Sequence, residues 1–205
     1  MSAIVLGQGD ALLIVDLQVD FLPGGSLGVP HGDQVIAPVN RLINLYHERG
    51  LPVYASRDWH PASHCSFAAQ GGPWPPHCVA GTEGALFSPS LQLPADAIVV
   101  SKADRAEVDA YSAFNGTGLG DAMRARGIRR LAVCGLATDY CVLNTVLDGL
   151  KEDIEVLIVA EAARAVDVAP GDGDRAMIRI LAAGAVPVRL AGAGLVADLE
   201  LSARL

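Results

Sequence analysis

Several short, continuous apolar runs, each ending at a polar residue, constrain the fold of this chain most strongly. The clearest run is Ala11–Val15, which stops at Asp16, and similar runs lead to Asp58 and Lys102. Runs of this kind are typical of strands buried on both faces, as central parallel strands are. Between them lie stretches with apolar residues at helical spacing, such as residues 34–50. The chain is therefore expected to alternate strands with helices.

This alternation predicts an α/β fold in three layers, with a mostly parallel six-stranded sheet and helices on both faces. The expected strands are residues 11–15, 52–56, 97–100, 131–134, 155–160 and 186–188, and the expected helices are residues 34–50, 120–127, 142–150 and 174–183. No repeat or linker interrupts the pattern. We expect a single domain over residues 1–205, with a functional loop at about residues 58–84, where periodicity is lost.

Composition and charge narrow the class of partner. The 205 residues carry a net charge of -8, which argues against nucleic acid or an anionic membrane and favours a small neutral or cationic ligand. Neither a signal peptide nor a membrane span is evident, so a cytoplasmic protein is expected. Four cysteines do not make a disulfide framework in a chain of this size, and we expect reduced thiols. The sequence leaves the oligomeric state open.

The stretch from residue 131 to 150 predicts a strand, a sharp turn and a helix, with Cys141 in the first helical turn. Thr138 is the expected N-cap of that helix. A thiol in this place feels the positive end of the helix dipole, which favours the nucleophilic thiolate. Cys141 is thus a candidate nucleophile. The alternative is that it is a small buried hydrophobic residue, as free cysteines usually are.

Three residues of catalytic type, Asp16, Lys102 and Cys141, each lie where a predicted strand ends. Ligands of such sheets bind beyond the carboxyl ends of the strands, so these side chains are expected to converge. A carboxylate can take a proton from a thiol, and an ammonium nearby holds the carboxylate ionised. We predict a joint catalytic role. The alternative for Asp16 and Lys102 is that they are solvated loop charges.

The irregular loop contains a candidate metal site. It carries Asp58-Trp59-His60, then His64 and His77. Residues two apart in an extended chain point the same way, so Asp58 and His60 present a carboxylate and an imidazole together. One oxygen and two nitrogen ligands leave open positions for an exogenous ligand.

Seven motifs, spread from about Ala11 to the sixth predicted strand, together resemble the isochorismatase-like cysteine hydrolases, and among these the nicotinamidase family. They are Asp16-Leu-Gln-Val-Asp20-Phe21, Asp58-Trp-His60-Pro, Phe67-Ala, Trp74-Pro-Pro-His77-Cys78-Val-Ala-Gly81-Thr82, Lys102-Ala-Asp, Tyr111-Ser-Ala-Phe114 and Gly135-Leu-Ala-Thr-Asp139-Tyr-Cys141-Val. The resemblance implies hydrolysis of nicotinamide to nicotinate and ammonia through a cysteine thioester, with pyrazinamide as a further substrate.

The resemblance also implies roles for individual residues. It implies a catalytic triad of Asp16, Lys102 and Cys141, and an oxyanion hole from the amides of Ala137 and Cys141, with a cis peptide between Ala137 and Thr138. It implies one divalent metal that orients the pyridine ring, zinc in the first place and iron or manganese as alternatives. The metal ligands would be Asp58, His60 and His77, and the aromatic walls Phe21, Trp74 and Tyr111. His64 is expected outside the ligand set, bonded to a loop carbonyl or near the metal through water.

Other readings remain open at this point. The nearest is another isochorismatase-like amidase, acting on a carbamoyl or small amide substrate. A thiol redox module using Cys134 and Cys141 is disfavoured by their spacing of seven residues. A noncatalytic metal-binding protein is a third reading. Cys65 and Cys78 could instead belong to a closed zinc site, which ranks lower because the chain has no Cys-x-x-Cys pair.

Overall fold

The computed structural model describes residues 3–203, which form an eight-stranded sheet covered by helices on both faces. The strands are β1 (Ala3–Ile4), β2 (Asp10–Val15), β3 (Val53–Asp58), β4 (Ile98–Lys102), β5 (Arg130–Leu136), β6 (Glu155–Arg164), β7 (Val186–Ala191) and β8 (Gly194–Ala197). The helices are α1 (Ile36–His47), α2 (Leu119–Ala125), α3 (Leu143–Lys151), α4 (Asp172–Ala182) and α5 (Leu199–Ser202). None of the helices between residues 3 and 203 has the length and apolarity needed to cross a membrane.

The central strands are apolar on both faces because each face meets its own helical layer. In β2, Leu12 and Ile14 belong to a core that α1 covers, whereas Leu13 and Val15 belong to a second core formed with α2, α3 and α4. Successive side chains of a strand point to opposite faces, so one apolar run supplies both cores. The predicted three-layer α/β arrangement is confirmed.

The strand order places a crevice at the carboxyl ends of the central strands. The order is β1-β8-β7-β6-β5-β2-β3-β4, and every pairing from β7 to β4 is parallel. The chain proceeds from β2 to β4 on one side and returns to β5 on the other. This reversal is the topological switch point at which α/β sheets bind ligands. Asp16 follows β2 there, and Asp58 pairs in register with Lys102 where β3 and β4 end.

The prediction of six strands is wrong, because two short strands were missed. They are β1 and β8, of two and four residues, which pair antiparallel at one edge of the sheet. Segments this short carry too little periodicity to be recognised. The strand β6 also runs to Arg164 rather than Ala160, and its register against β5 shifts between Val133 and Gly135.

Candidate active site

Three predicted catalytic side chains meet at the switch point. The Lys102 Nζ atom lies 2.9 Å from Asp16 Oδ2 and 3.4 Å from Cys141 Sγ. All three residues are buried, with Asp16 and Lys102 almost completely removed from solvent. Asp16 and Lys102 lie at strand ends, and Cys141 lies in the turn after β5, as the topology predicted.

A hydroxyl that the sequence analysis missed fixes the Asp16 carboxylate. Ser56, on the neighbouring strand β3, donates a hydrogen bond from Oγ to Asp16 Oδ1 at 2.7 Å. The backbone of Asp16 has a φ of 46°, a left-handed conformation in which β2 ends. The available signal was that Ser56 is the single polar residue of an otherwise apolar predicted strand.

Burial dominates the electrostatics of this cluster. It raises the pKa of the Asp16 carboxyl above its ordinary value, and the Lys102 ammonium opposes the shift. Burial raises the pKa of the Cys141 thiol well above its ordinary value, again opposed by Lys102. Burial alone would lower the pKa of Lys102, but the carboxylates of Asp16 and Asp58 raise it well above normal. Burial therefore favours the neutral thiol in this state, against the expectation of a thiolate.

The turn that carries Cys141 differs in detail from the prediction. Residues Thr138–Val142 form a π-helical turn that leads into α3, and Cys141 lies within it. Thr138 is not the N-cap, because that position belongs to Ala137 and no side chain caps the turn. The cis peptide bond joins Leu136 to Ala137 and not Ala137 to Thr138. Ala137 and Cys141 both line the adjoining cavity.

Asp58, His60 and His77 form a compact group beside the thiol. Each offers one ligand atom, and these atoms lie within 4.8 Å of one another. The Nδ1 atoms of His60 and His77 lie 2.9 and 2.8 Å from the carbonyl oxygens of His77 and Pro75, so each ring keeps Nε2 for a ligand. Burial also lowers the pKa of His60 to about 4, which keeps the ring neutral. Two imidazoles oriented in this way, together with a carboxylate, suit a divalent metal, so the residues present fit one.

Gln18, which the sequence analysis did not single out, holds the backbone of Asp58. Its Oε1 accepts the Asp58 N–H at 2.8 Å, and its Nε2 donates to the Asp58 carbonyl at 2.8 Å. The Asp58 carboxylate also accepts a hydrogen bond from Lys102. Asp58 thereby links the metal-ligand group to the cluster around the thiol.

The His64 ring is buried and both of its nitrogens are engaged. Nδ1 lies 2.7 Å from Ser66 Oγ, and Nε2 lies 3.1 Å from the Val108 carbonyl oxygen. The ring stacks on His60 with the centroids 4.3 Å apart. His64 is outside the group of Asp58, His60 and His77, and it bonds a loop carbonyl, which was one of the two arrangements expected for it.

A cavity opens above the thiol and the metal-ligand group, enclosing about 490 Å³ between the atoms, its mouth included. The three predicted aromatic residues line it. Trp74 donates from Nε1 to the Tyr111 hydroxyl at 3.0 Å, and the Phe21 ring lies 5.6 Å from that of His77. Seven lining residues were missed: Leu27, Val29, Ser66, Asp109, Ala110, Tyr140 and Val166. Tyr140 could have been found, because it precedes Cys141 in the same helical turn, whereas Val166 carries no local signal.

The geometry of the other cysteines disfavours two alternatives. Cys134 packs in the core under α1, whereas Cys141 belongs to the core on the opposite face of the sheet, so the pair is not placed for a disulfide. All four cysteines are free, as expected. Among residues 3–203, the groups able to hold a metal include neither Cys65 nor Cys78.

A buried thiol beside a carboxylate and an ammonium, at the base of a cavity in an α/β fold, is typical of hydrolases with a cysteine nucleophile. The Isochorismatase domain family matches residues 10–191, and the chain belongs to this family. It is 45% identical over 202 residues to the nicotinamidase of Escherichia coli, covering 88% of this chain and 95% of that protein.

Solved structures of similar proteins share the fold of this chain over most of its length. The pyrazinamidase of Pyrococcus horikoshii, in complex with zinc, superposes with a TM-score of 0.85 at 44% identity, covering 89% of this chain and 99% of that one. The protein PnC1 of L. infantum, in complex with nicotinate, has a TM-score of 0.85 at 34% identity, covering 92% and 96%. The expected family is thus confirmed.

Proposed function

We propose that the protein hydrolyses nicotinamide to nicotinate and ammonia. The observation that carries the proposal is the contact of Lys102 with both Asp16 and Cys141, at the base of a cavity whose wall holds Asp58, His60 and His77. The activity of the relatives supports the choice of substrate over the carbamoyl compounds of other amidases. Residues 1–205 would act as a single domain, with residues 58–84 as its metal-binding loop.

In the first half of the reaction, Asp16 accepts the proton of the Cys141 thiol as the sulfur attacks the carboxamide carbon. A carboxylate whose pKa is raised by burial is a stronger base, which suits it to this transfer. The backbone amides of Ala137 and Cys141 would stabilise the tetrahedral oxyanion. Asp16 then returns the proton to the leaving nitrogen, so that ammonia departs and a thioester remains.

In the second half, Asp16 acts as a base toward water. Water attacks the thioester carbon, a second tetrahedral oxyanion forms in the same place, and its collapse releases nicotinate. The proton that Asp16 took from water returns to Cys141. Lys102 stays protonated throughout, because the two carboxylates beside it raise its pKa.

Asp58, His60 and His77 would hold the divalent ion, for which we propose zinc, with iron or manganese as alternatives. When bound, the metal supplies a Lewis-acidic position for the pyridine nitrogen. Phe21, Trp74 and Tyr111 would enclose the flat ring, and pyrazinamide, with the same carboxamide and a ring nitrogen, would fit equally. We propose a location in the cytoplasm.

The test is an assay of ammonia release from nicotinamide, with a carbamoyl compound as the second substrate and with chelator as the second condition. We expect release from nicotinamide that chelator suppresses. Release from the carbamoyl compound alone would favour another amidase of the same family, and an inert, metal-loaded protein would contradict enzymatic function.

A further inference from the structure

The second carboxylate of the Asp16-Leu-Gln-Val-Asp20 motif has no part in the reaction described above. Asp20 is 9% exposed and lies in the short helical turn Val19–Phe21, directly before the cavity residue Phe21. Both of its oxygens accept backbone N–H groups from other segments. Oδ2 accepts the Cys78 N–H at 2.7 Å, and Oδ1 accepts the Ser26 N–H at 3.2 Å.

The Cys78 N–H belongs to a peptide group that also serves the candidate metal ligands. The carbonyl of the same peptide is that of His77, and its oxygen lies 2.9 Å from His60 Nδ1. The carbonyl oxygen of this peptide therefore accepts a hydrogen bond from the His60 ring, and its N–H donates one to Asp20. The other candidate ligand, His77, is part of the same peptide. Cys78 has a φ of 46°, so the orientation of this peptide depends on contacts that over-determine it.

Hydrogen bonds in series polarise one another, and an ionised acceptor makes the stronger bond. A carboxylate on the N–H side makes the His77 carbonyl a better acceptor for His60, as a carboxylate bonded directly to a metal-bound histidine does. Gly84 packs on the carboxylate so closely that a Cβ at this position would lie 2.1 Å from Asp20 Oδ2. Asp20 is therefore held in one place.

We propose that Asp20 is a positioning residue for the metal site, acting through the His77–Cys78 peptide to fix His77 and to orient and polarise His60. This inference rests on the proposed metal site. Asp20 touches neither the reacting atoms nor the ligand atoms, and its effect is on metal affinity and ligand geometry.

The experiment titrates the metal-free full chain with Zn²⁺ against a chromophoric chelator, and with Co²⁺ for its visible spectrum. Asp20→Asn keeps the size of the side chain but replaces one acceptor oxygen with a donor. We expect the dissociation constant for both ions to rise by roughly 10–100-fold, with a changed Co²⁺ spectrum. The rate at which iodoacetamide alkylates Cys141 in the metal-free protein should not change.

Asp10→Asn is the matched control. Asp10 is also buried, at 4% exposure, and accepts a backbone N–H from Gly7 at 2.7 Å, but it lies at the opposite end of β2 and pairs in addition with Arg130, so its replacement is at least as disruptive locally. Gly84→Ala is a second variant, which displaces the Asp20 carboxylate while keeping its charge. If Asp20→Asn does not fold, the metal affinity of Gly84→Ala tests the inference instead, and a loss of affinity is expected. Equal metal affinity in parent and variant, or an equal loss in Asp10→Asn, would overturn the inference. A parent chain that binds no metal would instead overturn the proposed site, and the inference with it.

Discussion

At the scale of single residues, burial acts in the same direction on the two groups between which the proton must move. It raises the pKa of both the Cys141 thiol and the Asp16 carboxyl, and Lys102 opposes both shifts. Without this ammonium, burial would favour the neutral form of both the carboxyl and the thiol, and less of the base would be present. We therefore propose that Lys102 is the group that makes the pair reactive.

The role proposed for Cys141 predicts that Cys141→Ala abolishes turnover while nicotinamide still binds. The sulfur makes the covalent bond, whereas the cavity and the metal-ligand group bind the ring. We expect the rate to fall at least about a thousandfold, because the nucleophile is removed. Calorimetric titration with nicotinamide measures the retained binding. Cys141→Ser should also be nearly inactive, since a hydroxyl is far less acidic than a thiol. Turnover near the parental rate in the Ala variant would contradict the mechanism.

The role of Lys102 predicts a shifted pH profile. Lys102→Ala leaves Asp16 buried without its cation, so the pKa of Asp16 rises further and less carboxylate is present at neutral pH. We expect activity to fall by about 10²-fold or more at pH 7. It should recover in part as the pH is raised, because the base is active when deprotonated. The pH dependence of kcat/KM, measured at confirmed metal occupancy, checks this. A profile reduced in height but unchanged in shape would show that Lys102 does not act through Asp16.

At the scale of elements, the six residues that follow β2 assemble much of the site. Asp16 lies beside the thiol, and Gln18 hydrogen-bonds the backbone of Asp58. Asp20 accepts a hydrogen bond from the peptide that follows His77. Phe21 lines the cavity. The segment can do this because β2 lies between β5 and β3, so that its end reaches both halves of the sheet.

The strand β5 depends on a glycine where it approaches β2. Gly135 has a φ of 114°, and a Cβ there would lie 2.1 Å from the Val15 carbonyl oxygen. We expect Gly135→Ala to lower the free energy of unfolding by about 2–5 kcal/mol, from backbone strain and overpacking together. Chemical denaturation measures the change.

Gly184→Ala is the control for backbone strain alone, because Gly184 has a φ of 106° with no atom within 4 Å of the added Cβ. It should destabilise less than Gly135→Ala by at least about 1 kcal/mol. Equal losses in the two variants would mean that the close approach of β5 to β2 is unimportant.

Local patterns and topology were sufficient to predict which strand ends meet. Asp16, Asp58 and Lys102 each end an apolar run, and parallel strands bring such ends to one edge. The Cys141 turn could be located but not its details, because the π-helical geometry and the pKa of the thiol depend on packing. Burial by the surrounding elements reversed the expected direction of that pKa shift.

The supporting contacts could not be predicted, since they join segments far apart in the chain. Gln18 and Asp58 are 40 residues apart, and Asp20 and Cys78 are 58 apart. Periodicity reports only which face of an element is buried, not which distant backbone a side chain reaches. The choice of His77 over His64 for the metal likewise came from the family resemblance. The structure brings His77 to Asp58 and His60, and engages both nitrogens of His64 elsewhere.

At the scale of the whole molecule, the proposed mechanism divides the site into a part that binds the ring and a part that performs the chemistry. If Asp58, His60 and His77 hold a metal that takes the ring nitrogen, chelation should remove productive nicotinamide binding but leave Cys141 reactive toward iodoacetamide. Rates of alkylation and of ammonia release, measured on the same chelated sample, separate the two parts.

Benzamide sharpens this last prediction, because it has the same carboxamide and ring shape but no ring nitrogen. A site built to hold a ligand atom discriminates strongly against an analogue that lacks it. We expect benzamide to be a poor substrate whose slow rate chelator scarcely changes, since it gains nothing from the metal. Hydrolysis of benzamide as fast as nicotinamide, with both equally sensitive to chelator, would mean that the metal acts on the carbonyl or on water, and the division of the site would be wrong.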